Sequence, residues 1–186
     1  MVANRLIAVI PDLKLLCLLV KRSILKLHVL FRMNKEDFSQ AKDFIFSDIE
    51  RELQLARTDP GTLKAIGINS GGGNFLAALG LLCYTEFAGK LKYNRKKDNG
   101  NDSPAENFNL FFDDLGTDYK TFRILGNDVY GIFRCGLAHE YYVKGNCAIF
   151  MLSQGSRLGI GKDSCGTYWF IVEKYFQDFK RAFELI

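Results

Sequence analysis

Two residue types suited to acid–base and phosphate chemistry stand five positions apart in this chain. The sequence has only two histidines, and one of them, His139, follows Arg134 in a segment that also holds Cys135 and Tyr141. An imidazole titrates near neutral pH and can both accept and release a proton. A guanidinium binds phosphate through paired hydrogen bonds and keeps its charge. Together they are sufficient for RNA cleavage without a metal, because one group moves a proton while the other neutralises charge on the phosphorane.

The spacing of this pair restricts how the two side chains can meet. Residues five apart on a straight α-helix point roughly 140° apart, so Arg134 and His139 do not share one face. They converge only if the helix bends or ends between them, or if a second copy of the chain contributes one of them. Gly131 and Gly136 lack side chains and would let a partner helix approach closely. We therefore expect a composite cleft in a symmetric homodimer.

The same residues resemble a known signature. The pattern Arg134-x4-His139 is similar to the Arg-x4–6-His motif of the HEPN superfamily, small helical proteins that include many metal-independent ribonucleases and toxins. Tyr141 extends the likeness to the Arg-x4-His-x-Tyr form found in HEPN toxins that are paired with minimal nucleotidyltransferase antitoxins. In such pairs the antitoxin can adenylylate the tyrosine.

The resemblance implies a function and a role for each residue. The chain would be a metal-independent endoribonuclease of toxin or defence type, acting as a homodimer on RNA with no cofactor. Arg134 would hold the scissile phosphate and His139 would perform the acid–base work. Tyr141 would contact RNA or accept the modification, and Lys144 would add a phosphate contact.

Two other interpretations of this segment stay open. Catalytic HEPN members often carry Asn, Asp or His directly after the arginine, whereas this chain has Cys135, a weak hydrogen-bonding group. The segment could then belong to a non-catalytic HEPN-like module that binds a nucleotide or a partner. In a purely structural interpretation, Arg134 pairs with Glu140 or a nearby aspartate and His139 is a hydrogen-bonded interior residue.

Apolar periodicity predicts the elements that position this segment. Spacings of three and four predict a helix from Asn34 to about Arg57, and a largely apolar helix should begin near Asn74, after three glycines. A polar loop is expected at 94–104 after that helix, followed by further helices at 105–115, 118–122 and 127–142.

A β-containing tail is predicted at 146–172. Cys147–Leu152 has strand character, and 157–160 should pair with 167–172 as a hairpin. A final helix carries Val172, Tyr175, Phe176, Phe179 and Phe183 on one face. The expected fold class is mainly α: a helical bundle, HEPN-like in the sense above, with a small C-terminal β-hairpin or short sheet and a last helix.

Residues 1–32 differ in composition from the rest. They hold six Lys or Arg and one Asp, which gives +5, so the remainder of this +4 chain is close to −1. We predict a basic N-terminal extension at 1–32, either a loosely attached amphipathic helix or a stretch upstream of a native start at Met33, followed by one domain at 33–186. A basic surface spread over the whole fold, as in general nucleic-acid binders, is not expected.

The remaining candidate motifs favour ordinary roles. The five cysteines are odd in number and widely spaced, which predicts reduced thiols in a cytoplasmic protein rather than a disulfide framework or zinc site. Gly71–Gly73 lacks the Lys and Ser or Thr of a nucleotide loop and is expected to form a turn. The carboxylates of Asp113, Asp114, Asp118 and Asp128 show no metal-ligand spacing and are expected at solvated helix ends.

Overall fold

The computed structural model describes residues 35–140, 143 and 146–186. The predicted extension at 1–32 lies outside the described residues. The chain divides into two compact units, Met1–Lys42 and Asp43–Ile186. The second unit contains the candidate site and everything discussed below, apart from the first residues of the first helix.

Seven α-helices and three short strands make up the described chain, which confirms the predicted mainly α class with a small sheet and a final helix. In chain order they are α1 (Lys35–Arg57), α2 (Pro60–Ala65), α3 (Asn74–Tyr93), α4 (Pro104–Asp114), α5 (Thr117–Ile124), a π-helical turn (Tyr130–Cys135), α6 (Gly136–Glu140), β1 (Cys147–Phe150), β2 (Ile160–Lys162), β3 (Tyr168–Ile171) and α7 (Val172–Phe183). None of the described helices is long and apolar enough to cross a membrane.

The first helix follows the predicted apolar spacing. Ile45, Ile49 and Leu53, at intervals of four, are each no more than 4% exposed. The helix ends at Arg57, as predicted, and a second, short helix follows after two residues. Asp59 accepts a hydrogen bond from the Thr62 N–H (3.0 Å) and caps α2, a short helix that begins with proline and that the sequence analysis missed.

Helix α3 is the central element because it is apolar around most of its circumference, and Ala78, Leu81, Leu82 and Ala88 are fully buried. It packs most extensively against α4. The two backbones come so close that a Cβ on Gly89 would lie 2.0 Å from the Asn107 carbonyl oxygen. Glycine is therefore required at this crossing.

The core between α4, α5 and α7 is built from aromatic rings. Phe111 meets Phe179 edge-on with centroids 5.8 Å apart, and Phe112 meets Tyr119 in the same way at 5.3 Å. Tyr175 is fully buried and its hydroxyl lies 2.9 Å from that of Thr85 on α3. The final helix thus closes the bundle with the apolar face that the sequence predicts.

The three strands form one sheet with the order β1-β3-β2. The predicted hairpin is present as an antiparallel pair that joins Ile160 to Phe170, with β2 beginning three residues later than expected. The parallel pairing of β1 with β3, in which Cys147 lies opposite Tyr168, was not predicted. Asn74, at the start of α3, donates a hydrogen bond to the Ile149 carbonyl (3.0 Å) and ties the sheet to the bundle.

Candidate functional site

The π-helical turn at Tyr130–Cys135 is the element that presents Arg134. The sequence predicts a regular α-helix here, and the wider turn at Tyr130–Cys135 is a difference from that prediction. Val129, Phe133 and Leu137 are buried at spacings of four, a pattern that the regular helix α1 also shows and that therefore does not distinguish the two kinds of helix. π-Helical turns are rare in proteins overall, and those that occur often lie at functional sites.

The orientation of each candidate side chain follows from these buried neighbours. Arg134 comes directly after Phe133, so it lies beside the core and is half-buried. His139 comes two positions after Leu137, about 200° further round α6, and is exposed. The interior position considered for His139 is therefore wrong.

The partner of Arg134 is a carboxylate from α3. The Arg134 Nε and Glu86 Oε2 atoms are 2.7 Å apart, and the two side chains are 19% and 23% exposed. Both atoms are shielded from solvent, and neither meets the angular requirement for a hydrogen bond. The contact is thus a close, partly buried ion pair whose donor and acceptor are not aligned.

Aromatic and thiol groups complete the surroundings of the guanidinium. Its Cζ atom lies 6.0 Å from the centroid of the Tyr130 ring, within cation–π range. Burial lowers the pKa of Arg134, but the nearby Cys83, Glu86 and Tyr130 groups outweigh that effect, and the net direction is upward. The guanidinium therefore stays charged.

The Cys83 thiol belongs to the same cluster. Burial raises its pKa, the charge of Arg134 lowers it, and Glu86 raises it further, with a net rise. Since a thiolate is the reactive form of cysteine, Cys83 is a poor nucleophile here. Cys135 next to Arg134 is half-buried and contributes to the raised pKa of Tyr130, after burial and Glu86.

Glu86 is the residue of this cluster that sequence reasoning missed. It is the one acidic residue in the otherwise apolar and basic α3 sequence, Asn74–Tyr93. A lone carboxylate on a buried helix usually has a cationic partner, so this position carried a usable signal. Nothing in the sequence identifies Arg134, 48 positions later, as that partner.

Two predicted site residues cannot be placed. Tyr141 and Lys144 lie outside the described residues, so their roles stay predictions. Of the two glycines expected to admit a partner helix, Gly136 is buried in this subunit. A Cβ on Gly131 would lie 2.2 Å from the Asp128 carboxylate, which accepts the Gly131 N–H (2.9 Å) and so begins the π-helical turn.

Three of the four aspartates considered as metal ligands have other partners. Asp113 forms a two-pronged ion pair with Arg123 at 2.6 and 2.7 Å. Asp114 accepts a hydrogen bond from the Tyr93 hydroxyl at 2.7 Å, and Asp128 accepts one from the Gly131 N–H at 2.9 Å. In the part of the chain that the structure describes, no group of three His, Cys, Asp or Glu is arranged to hold a metal ion.

Comparison with protein-family models, with curated proteins and with solved structures finds no match to this chain. The likeness to the HEPN superfamily accordingly depends on the motif residues themselves.

Proposed function

We propose that this chain is a HEPN-like, metal-independent endoribonuclease that acts as a homodimer in the cytoplasm, as a toxin or defence protein. The observation that carries the proposal is the exposed imidazole of His139 on α6, the helix that directly follows the π-helical turn with the charged Arg134. An exposed imidazole is accessible to a substrate and can act as a general acid or base.

The proposed reaction needs two proton transfers and stabilisation of the charge on phosphorus-bound oxygens, and solvent supplies the proton transfer that His139 does not perform. The RNA 2′-hydroxyl attacks the adjacent phosphorus while a base removes its proton, and the P–O bond to the 5′-oxygen breaks as that oxygen gains a proton. The products are a 2′,3′-cyclic phosphate and a 5′-hydroxyl end. His139 performs one of the proton transfers, and Arg134 stabilises the negative charge on the phosphorane oxygens.

The dimer is part of the proposal because Arg134 is engaged by Glu86 on α3 of its own subunit, whereas His139 is exposed. A two-fold axis near α6 would place His139 of one subunit beside Arg134 of the other. Such an isologous interface generates two equivalent sites.

The test is cleavage of single-stranded RNA in excess EDTA by the purified chain. We expect His139→Ala to lower the rate at least about 100-fold, the usual minimum for loss of a general acid or base. The matched control is His28→Ala, which removes the other histidine and should leave the rate unchanged. Equal rates for wild type and His139→Ala, or no cleavage by the wild type, would refute the proposed ribonuclease activity.

Tyr141 and Lys144 enter the proposal through the family likeness. Tyr141 contacts RNA or is adenylylated by a nucleotidyltransferase antitoxin, and Lys144 contacts a phosphate. Incubation with such an enzyme and ATP, followed by intact-mass measurement, checks the modification. We expect one added AMP on the wild type and none on Tyr141→Phe, with Tyr142→Phe as the matched control.

One observation favours a second candidate, a non-catalytic module that binds a nucleotide or a partner. Arg134 already has a carboxylate 2.7 Å from its Nε and is only 19% exposed. A guanidinium that is neutralised and partly buried serves recognition or structure more readily than transition-state stabilisation. Saturable nucleotide binding without RNA cleavage, lost in Arg134→Ala, would favour this candidate.

A further inference from the structure

A second polar region lies away from the motif, in a cleft of about 260 Å³ where the start of α5, the segment before β2 and α7 meet. Neither Arg134 nor His139 lines it. Its charged lining residues are Asp118, Arg157, Lys174, Asp178 and Arg181. Three cations thus meet two carboxylates in one concave site.

Asp178 organises the cationic side chains. Its carboxylate is 1% exposed and accepts Lys174 Nζ on both oxygens, at 2.6 and 2.8 Å. It also accepts an Arg181 amino group and the Tyr119 hydroxyl, both at 2.5 Å. The Tyr119 oxygen in turn accepts the Gly159 N–H at 2.8 Å. A buried carboxylate with this many partners holds the cations in defined positions.

The cationic side chains have more N–H donors than Asp178 accepts. A guanidinium has five N–H donors, and one amino group of Arg181 contacts Asp178 while its side chain is 68% exposed. Arg157 is exposed and makes no hydrogen bond or ion pair with any residue that the structure describes. A network that served only to neutralise Asp178 would not need Arg157.

The second carboxylate of the cleft, Asp118, does not occupy the N–H donors of Arg157 and Arg181. Asp118 is exposed in the first turn of α5, where the helix dipole favours a negative group. The same helix starts at Thr117 without a side-chain cap for its first backbone N–H groups, and Gly116, Thr117 and Asp118 line the cleft. The excess of donors over acceptors indicates an anion.

We propose that this cleft binds the phosphate group of a phosphorylated molecule, with Arg157 and Arg181 as its direct ligands. Exposed guanidinium forks suit a phosphate, which offers several oxygens at once. The cleft volume is several times the roughly 30 Å³ that one water occupies in the liquid, so it has room for the group that carries the phosphate. The proposal is independent of ribonuclease activity.

The test is an NMR titration of the full chain with inorganic phosphate at constant ionic strength. We expect saturable shifts for wild type and at least about fivefold weaker binding for Arg157→Gln and for Arg181→Gln, about 1 kcal/mol each. The matched control is Arg51→Gln, because Arg51 is also 68% exposed but lies outside the cleft. Asp118→Asn should tighten binding because it removes a repelling charge.

Two further titrations identify the class of molecule that carries the phosphate. Adenosine 5′-monophosphate and a short single-stranded RNA without terminal phosphates are each titrated in the same way. Binding of the monophosphate alone, weakened by Arg157→Gln and Arg181→Gln, assigns a phosphomonoester, and binding of the RNA that the same two variants weaken assigns a nucleic-acid backbone; either supports the proposal. Unsaturable shifts with every probe, or equal affinities for wild type, Arg157→Gln and Arg181→Gln, would overturn it.

Discussion

Arg134 carries a counter-charge before any ligand arrives, because the Glu86 carboxylate lies 2.7 Å from its Nε. In a partly buried setting, that pair has two consequences. It fixes the direction of the guanidinium, and it sets a competition between Glu86 and an incoming phosphate. The strength of the pair therefore matters both for folding and for the proposed chemistry.

A double-mutant cycle measures that strength. With Glu86→Gln, Arg134→Gln and the double variant, we expect a coupling free energy of about 1–3 kcal/mol in urea unfolding, since both side chains are mostly buried. The control cycle is Arg51→Gln with Glu52→Gln, an exposed pair at 3.3 Å that should couple by less than about 1 kcal/mol. Equal coupling in the two cycles would contradict a structural role for Glu86.

At the residue scale, residue type and spacing single out Arg134 and His139 as candidates, and their roles in chemistry stay predictions. The sequence does not identify Glu86 as the partner of Arg134, because that pairing depends on how α3 packs against the π-helical turn. Burial of a charged pair depends on tertiary packing, and a single sequence contains no record of the distance between the Glu86 and Arg134 side chains.

The crossing of α3 and α4 limits which residues these elements can carry. Gly89→Ala would place a Cβ 2.0 Å from a backbone oxygen of Asn107, so one helix must shift. We expect a loss of about 1–3 kcal/mol in the free energy of unfolding. Gly80→Ala on the same helix meets only Ile49 and Tyr84 side-chain atoms at 3.7 Å.

Gly80→Ala is therefore the matched control for this crossing. Alanine exceeds glycine in helix propensity by about 1 kcal/mol, so this variant should be as stable as the wild type or more so. Thermal unfolding monitored by circular dichroism compares the two variants directly. A destabilised Gly80→Ala together with an unaffected Gly89→Ala would show that the close approach of α3 and α4 is misplaced.

Helix α7 is joined to α1 and to the segment after β1 by Glu173. Burial raises the pKa of this carboxyl, but the Ser153 N–H at 2.6 Å and the Arg57 guanidinium lower it more, so the net direction is downward. A lowered folded-state pKa means that the stabilisation is present above the unfolded-state pKa. It is lost as the pH falls through the folded-state value.

We therefore expect the stability difference between wild type and Glu173→Gln to be largest near neutral pH and to shrink below about pH 4.3, the ordinary glutamate range. Urea unfolding at several pH values measures this difference. Glu106→Gln is the control, because Glu106 is 52% exposed and 3.9 Å from Arg95. A difference that grows as the pH falls would contradict the assignment.

At the element scale, the predictions succeeded where one apolar period runs through a whole segment. Helices α1, α3 and α7 begin and end within a few residues of the predicted limits. The π-helical turn was missed because Val129, Phe133 and Leu137 also fit an α-helical pattern over a short window. The β1–β3 pairing was missed because parallel partners 21 positions apart have no local signal.

For the whole molecule, apolar periodicity and strand character predicted the helical class with its small sheet but not the location of the concave sites. The cleft around Asp178 draws its residues from α5, the segment before β2 and α7, which are separated by tens of positions in sequence. Only tertiary packing brings them together. The same reasoning applies to the proposed dimer, whose site would combine residues from two chains.

Complementation between two inactive variants tests that dimer. Arg134→Ala and His139→Ala are each expected to be inactive, but in a mixed dimer with composite sites, one of the two sites regains both an intact arginine and an intact histidine. After unfolding and refolding an equimolar mixture, half of the dimers are mixed and half of their sites are intact, so RNA cleavage should recover to roughly one quarter of wild type. No recovery, despite mixed dimers demonstrated by native mass spectrometry, would place both groups of each site in one subunit.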